Sequence, residues 1–561
     1  MRIVDTQQPR PKVRPGRGRR AAVLLALLAT LGCQSQDSRS APETPQLEGT
    51  RGYIVISLDT LRADHLGAYG YDKATSPFLD GLAAQGALFE RQISQYPSTL
   101  TSHMSIFTGL YPREHQVFPP DGVLAETIET LPEAFQRSGF RTAGYTEAGY
   151  VRGHYGFRRG FDEFRARDRT GKSQGARGTL GRGLRFLRSL EPQEPFFLFL
   201  HTYAVHAPYD PPEEERQMFW PGQAPEGAFY PSGKELSRRN ALGEQLSPEL
   251  LDYLRALYDG EIRFLDRCLK EFFAEVEALG LGDQITVVIT SDHGEEFQDH
   301  GRLNHEQLYD EILHIPLIFR HPDLPAGQRI AELVESVDLA PTLLALAEIT
   351  PRARMSGQSL LPLLANGPGW QKKDAYSEAS ANHRSLYRRQ EGELLHLQVF
   401  GQAEKGWISR RARLRVPAGP LSFEARSFGE ERPLSIHHRD QELLVAPLSA
   451  EWSKISLEVS SQQPWATLEL SVPSCQEIAS PDAPAGIICR GFDLRSISQA
   501  RLELYELTED PAEAVDLAVA QESEARDLVR RLGEHRHRPR ASALRQELDE
   551  ESKSNLKALG Y

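Results

Sequence analysis

Three short apolar runs constrain this chain more than any other feature. Tyr53 to Leu58 (YIVISL) runs into Asp59, Phe196 to Leu200 (FFLFL) into His201, and Ile285 to Ile289 (ITVVI) into Thr290, Ser291, Asp292 and His293. A run that is apolar at nearly every position, rather than at every second one, buries both of its faces, as a strand does in a sheet covered by helices on both sides. Each run ends in polar or ionisable residues, so those groups collect beyond the carboxyl ends of the strands, where open α/β sheets hold ligands. Helical text fills the gaps. Ser247-Pro248-Glu249 is an N-cap with Pro in the first turn, and Leu250, Leu254, Leu257, Leu265, Leu269 and Phe273 keep a helical stripe to Gly280. Asp338 to Ala347 is a second helix, with Asp338 as its cap. From Leu394 to Ser471 the pattern changes to alternation, as in LRVPAGPLSFEARSF and KISLEVSS, which predicts short antiparallel strands in an inserted or accessory unit.

The ends of the chain carry their own signals. A basic, Pro-rich start leads into AAVLLALLATLG and then Cys33, the layout of an export signal, and the apolar run is far short of the ~20 residues of a membrane-spanning helix. Gly32-Cys33 resembles a bacterial lipoprotein box, which predicts an exported, lipid-anchored protein whose only membrane contact is that anchor, although Thr30 stands where Leu is usual. The expected division is a signal at 1–33, a tether at 34–50, a catalytic domain at 51–380, a C-terminal subdomain at 381–520 and a charged helical tail at 521–561. With 65 Lys and Arg against 78 Asp and Glu, the formal charge of -13 speaks against nucleic acid as a partner. Four Cys make no disulfide framework: Cys475 and Cys489 are near enough in sequence to pair, and Cys268 falls in the long helix as core.

Asp59, Asp292 and His293 offer oxygen and nitrogen ligands for a divalent cation from two strand ends, although an Asp after a strand also serves as an ordinary cap. The surrounding text narrows the choice. DTLRADHLGAYGY (Asp59 to Tyr71), SHMSIFTGLYPREH (Ser102 to His115), YDGEIRFLD (Tyr258 to Asp266), TSDHGEEF (Thr290 to Phe297), HIPLIFRHP (His314 to Pro322), VDLAPTLLAL (Val337 to Leu346) and LYELTEDPAEAVDLA (Leu504 to Ala518), in that order, resemble the sulfatases of the alkaline-phosphatase superfamily. The resemblance implies a large mixed, mainly parallel sheet between helices with a smaller C-terminal sheet part. It also implies a metal-bound nucleophile that attacks a sulfur or phosphorus ester.

The departures from that family are as informative as the matches. Where its Cys-x-Pro-Ser-Arg signature begins with a Cys oxidised to formylglycine, this chain has Thr99, followed by Thr101 for Pro and His103 for Arg. Thr99 is thereby the expected nucleophile, as in the phosphodiesterases, phosphonate hydrolases and phospho-alcohol transferases of the superfamily that resemble it here. Asp59, Thr99, Asp292 and His293 are the expected ligands of one divalent ion, whether Ca, Mn, Mg or Zn. Thr60 replaces a second Asp and offers at most a weak ligand. Glu147 stands near where an anion-binding Lys is usual, while His206 stands where the family keeps a His that touches the ester oxygens and His305 roughly at its second Lys position; both are, with His103, candidate proton donors. A second metal would require His206, Asp210, His300 or His305 to converge. The expected substrate is a small-molecule, glycan or lipid ester of phosphate, phosphonate or sulfate. The alternatives are a phospho-alcohol transferase acting on envelope glycan or lipid, and an inactive glycan-binding relative; oligomeric state stays open. Asp64 and His65 are expected on a helix after the first strand, Asp510 in a turn, and HRHRPR (His535 to Arg540) as a solvated run.

Overall fold

The computed structural model describes residues 50–379, apart from 167–171, 306, 322 and 372–373, then a series of strands as far as Glu506, and isolated positions between 541 and 556. The expected signal, tether, Cys475, Asp510 and the run 535–540 lie outside the described residues. Eight strands form the main sheet: β1 (Gly52–Leu58), β2 (Ala87–Ile93), β3 (Arg141–Thr146), β4 (Glu163–Ala166), β5 (Phe196–Thr202), β6 (Ile285–Thr290), β7 (His314–Arg320) and β8 (Gln328–Glu335). Their order is β8-β2-β7-β6-β1-β5-β3-β4. Only β7 runs against its neighbours, and every other pairing is parallel.

Side chains of the central strands alternate between two cores. Ile54, Ile56, Leu58, Leu198, Leu200, Val287 and Ile289 pack with Leu257, Leu265 and Leu269 of the helix Pro248–Ala278. Tyr53, Val55, Phe197, Phe199 and Val288 face the other way, onto Leu100, Met104 and Phe107 of the helix Thr99–Thr108 and Leu339 and Leu343 of the helix Leu339–Leu346. Covering both faces is what allows the strands to be apolar at consecutive positions. The long helix starts where expected, with Ser247 Oγ accepting from the Leu250 amide at 3.3 Å. Cys268 is buried in it as a free thiol. Asp338 stands at the N-cap of the helix Leu339–Leu346, but its carboxylate accepts from the Glu335 and Gln358 amides instead of that helix's first turn.

The fold is thus the mixed, mainly parallel α/β sheet that the resemblance implies. Beyond it, Ala375–Ala379, Arg384–Arg388, Glu393–Gln398 and Arg501–Glu506 form a four-stranded antiparallel sheet. Strands between Gly406 and Arg490 make two more antiparallel sheets, and the alternating text from Leu394 lies in these sheets. Within the expected charged tail, Leu544–Arg545 pairs with Gly122–Val123 as a short ladder and Leu556 is buried in the second core. Among the described residues no helix is long and apolar enough to cross a membrane.

Candidate functional site

The site begins where β1, β5 and β6 end side by side. Ser57 of β1 is level with His201 of β5 and Thr290 of β6, so Asp59, His201 and Asp292 share one edge. Asp292 is fully buried; its Oδ1 accepts from the amides of His293 (2.9 Å) and Thr60 (3.2 Å), while Oδ2 has no hydrogen-bond partner. Asp59 is equally buried. Its Oδ2 lies 3.0 Å from His201 Nε2, and its Oδ1 has no hydrogen-bond partner. His293 Nδ1 is 3.0 Å from the Gly294 carbonyl, which can only accept, so Nδ1 carries the proton and Nε2 presents a lone pair. That Nε2 is 3.5 Å from Asp292 Oδ2.

Ligand atoms of Asp59, Asp292 and His293 lie within 4.8 Å of one another. Two orphaned, buried carboxylate oxygens beside an imidazole lone pair are a costly arrangement unless a positive charge sits among them, so these residues fit a divalent cation. Their electrostatics agree. Burial, then the neighbouring Asp292, pushes the Asp59 carboxyl well above its usual range. Burial acts the same way on Asp292, but His293, His103 and His201 outweigh it and hold that carboxyl low. Burial also drives His293 down to about 4, against the pull of Asp292.

Thr99 opens its helix directly after Ser98, which has extended backbone, and the positive end of the helix therefore faces the cluster. Its Oγ1 is 3.5 Å from His293 Nε2. The helix is tied to the β6 tip through Ser102 Oγ, which donates to the Asp292 carbonyl at 2.7 Å, with Ser94 Oγ donating to the same atom.

The candidate histidines fall into three places. His103 belongs to the same helix as Thr99: Nδ1 donates to the Thr99 carbonyl (2.8 Å) and Nε2 faces Ser57 Oγ (2.9 Å), so both nitrogens are engaged. This departs from its expected part as a proton donor. The cause is its position one helical turn beyond Thr99, which turns the ring back onto that residue's carbonyl. His305 and His206 stand beside His293, with ring centroids 4.5 Å apart for His293 and His305 and 5.2 Å for His206 and His305. Glu295, not foreseen from the sequence, is 3.3 Å from His305 Nδ1. His300 is instead paired with Glu311 at 2.8 Å and stacked on Tyr309, and Asp210 is exposed with its amide on Glu261. Among the described residues the four positions that a second metal would need do not gather.

Four further residues that the sequence singles out, Thr60, Glu147, Asp64 and His65, are held by local contacts. Thr60 has a left-handed backbone (φ 56°) and its hydroxyl donates to the Asp59 carbonyl at 2.8 Å, so it is turned away from a ligand's part. Glu147 is buried and accepts from the Thr202 hydroxyl. Asp64 and His65 lie on a single 3-10 turn rather than a helix, because His65 is drawn into a 2.7 Å contact with buried Asp259 while Asp64 pairs with Arg62. His201 was legible only as the residue after an apolar run; it lies inside β5, and only the sheet register shows that it faces Asp59.

A mainly parallel sheet with a buried Asp-Asp-His cluster and a helix-borne hydroxyl at its strand tips fits an ester hydrolase. Residues 51–349 match the sulfatase family, and the chain belongs to that family. It is similar to an arylsulfatase of Clostridium perfringens, with 25% identity over 55% of this chain and 78% of that protein. The multifunctional alkaline phosphatase superfamily protein PehA of Trinickia caryophylli is 34% identical over 33% of this chain and 40% of its own length. In fold it is similar to the phosphonate monoester hydrolase of Agrobacterium radiobacter, with a TM-score of 0.57 at 18% identity over 87% of this chain and 95% of that one.

Proposed function

We propose that this sulfatase-family hydrolase cleaves phosphate, phosphonate or sulfate esters with Thr99 as nucleophile and Asp59, Asp292 and His293 as ligands of one divalent cation. The carrying observation is the placement of Thr99 Oγ1, 3.5 Å from His293 Nε2, in the cluster that holds two buried carboxylate oxygens without a hydrogen-bond partner. When bound, such a cation lowers the proton affinity of a neighbouring hydroxyl and neutralises charge on the ester's oxygens. Thr99 Oγ, its proton released to bulk water, forms a bond to phosphorus or sulfur as the alcohol leaves with a proton from His305 or His206; that histidine then takes a proton from the water that cleaves the Thr99 ester at the transferred atom, and Thr99 leaves to be reprotonated from solvent.

An aldehyde hydrate can expel its substituent by collapsing to the aldehyde. A threonine ester has no such route, which favours phosphoryl or phosphonyl transfer over sulfuryl. The helix start at Thr99 supports an anionic substrate, and the activities in the relatives' names, arylsulfatase and phosphonate monoester hydrolase, span the same ester classes. Export and lipidation at Cys33 remain part of this proposal, on the strength of the first 33 residues.

The test is a panel of aryl phosphomonoesters, phosphodiesters, phosphonates and sulfates, with several divalent cations, on wild type and Thr99→Ala. Turnover of every substrate should fall by about three orders of magnitude or more in the variant. Activity near wild type would end the nucleophile assignment. An added alcohol acceptor in the same assay separates hydrolysis from transfer.

A further inference from the structure

His201 has no part in the chemistry above, yet it is among the most enclosed polar side chains of the molecule. It sits in β5 amid FFLFL, its ring packed edge-on against His103 (4.8 Å) and Tyr203 (4.7 Å). If it served only packing, an aromatic or aliphatic side chain would fill the space without burying two ring nitrogens. Instead Nε2 meets Asp59 Oδ2 at 3.0 Å, and Nδ1 has no hydrogen-bond partner. With a cation bound Asp59 is ionised and its carboxylate only accepts, so Nε2 then carries the proton and the unsatisfied Nδ1 is an acceptor. A buried polar atom left unpaired is retained where another group depends on the rest of the side chain.

That group is Asp59. With Oδ2 engaged by His201, the remaining oxygen, Oδ1, is the one without a partner. We infer that His201 is a positioning residue that fixes the Asp59 carboxylate so that Oδ1 faces the cation. The inference rests on the cation reading above and concerns how the ligand is oriented, not which residues are ligands. Outer-shell hydrogen bonds of this kind set ligand orientation and basicity. A glutamine amide can reach the place of Nε2 and donate to Asp59, whereas an asparagine amide reaches only the place of Nδ1 and leaves Asp59 unheld.

The test is calorimetric titration of Mn2+ into the metal-depleted full chain, with circular dichroism to check folding. His201→Asn should weaken Mn2+ binding by about 10- to 100-fold, while His201→Gln should stay within about threefold of wild type. His201→Phe, which fills the space without a donor, should behave as His201→Asn if it folds, and the Asn and Gln pair decides the matter if it does not. Equal affinity in the Asn and Gln variants would overturn the inference alone. Undiminished Mn2+ binding by Asp59→Ala would overturn the cation reading and the inference with it.

Discussion

Two groups of ionisable side chains meet at the strand tips, and they are anchored in different ways. Asp59 and Asp292 follow directly from adjacent strands and are held by backbone: the Asp59 amide donates to the Thr202 carbonyl at 3.1 Å, and Asp292 Oδ1 takes two amides. His206 and His305 come from loops, His305 beyond the short hairpin Glu296–Phe297 and Leu303–Asn304, and each is steadied by local contacts such as Glu295 on His305 and the Ala207 carbonyl on His206. The difference teaches that the first group is set by the sheet itself, whereas the second depends on loop conformation. The strand-tip group suits a role that demands fixed geometry, and the loop group suits proton transfer to leaving groups of varied shape.

The comparison can be broken in order of expected effect. Asp292→Asn should lower metal affinity by well over ~100-fold, since changes to outer-shell partners alone cost about 10- to 100-fold, and metal analysis of the purified protein checks this directly. Turnover should fall with it. Unchanged metal stoichiometry would remove Asp292 from the site. His305→Gln should lower kcat by about 100-fold, the scale of lost general acid catalysis, while metal content stays at the wild-type level. If that variant loses metal as Asp292→Asn does, the two groups are one ligand set and the contrast between them fails.

The smallest effect lies outside both groups and calibrates them. His115 is buried, its Nδ1 accepting from the Val117 amide at 3.0 Å, and burial drives its pKa down to about 3. A histidine depressed in the folded state gives stability that is complete above the unfolded value of about 6.5 and is lost as pH falls toward 3, with a slope of about 1.4 kcal/mol per pH unit. His115→Asn keeps an acceptor near Nδ1 and removes the titration. Denaturant melts between pH 6 and 4 should therefore show a shallower loss in the variant than in wild type, with turnover at pH 7 little changed. Parallel stability profiles would show that His115 does not titrate with folding.

Much of this was legible in the residues. The three apolar runs located β1, β5 and β6, because a strand covered on both faces must be apolar at consecutive positions. Thr99 was found by counting back along a motif whose helix, cap and closing Gly109 are local features. Asp59, Asp292 and His293 stand after strands, where an Asp is also an ordinary cap, and the resemblance to the sulfatases singled them out. His103, by contrast, kept a catalytic part until the helix turned both of its nitrogens inward, and Glu295 was passed over as one more acid in TSDHGEEF. Their roles depend on which way a side chain points, and spacing in one dimension does not carry that.

The sequence by itself determined the class of sheet and the helices that cover it, because burial periodicity is a property of neighbouring residues, while its resemblance to the sulfatases nominated Thr99 with Asp59, Asp292 and His293. Only the tertiary structure decided which histidines support and which confront the cluster, that Thr60 turns away, and that His201 grips Asp59. Those outcomes come from strand register and helix rotation, which bring together residues as far apart as Asp59 and Asp292, and no local pattern fixes them.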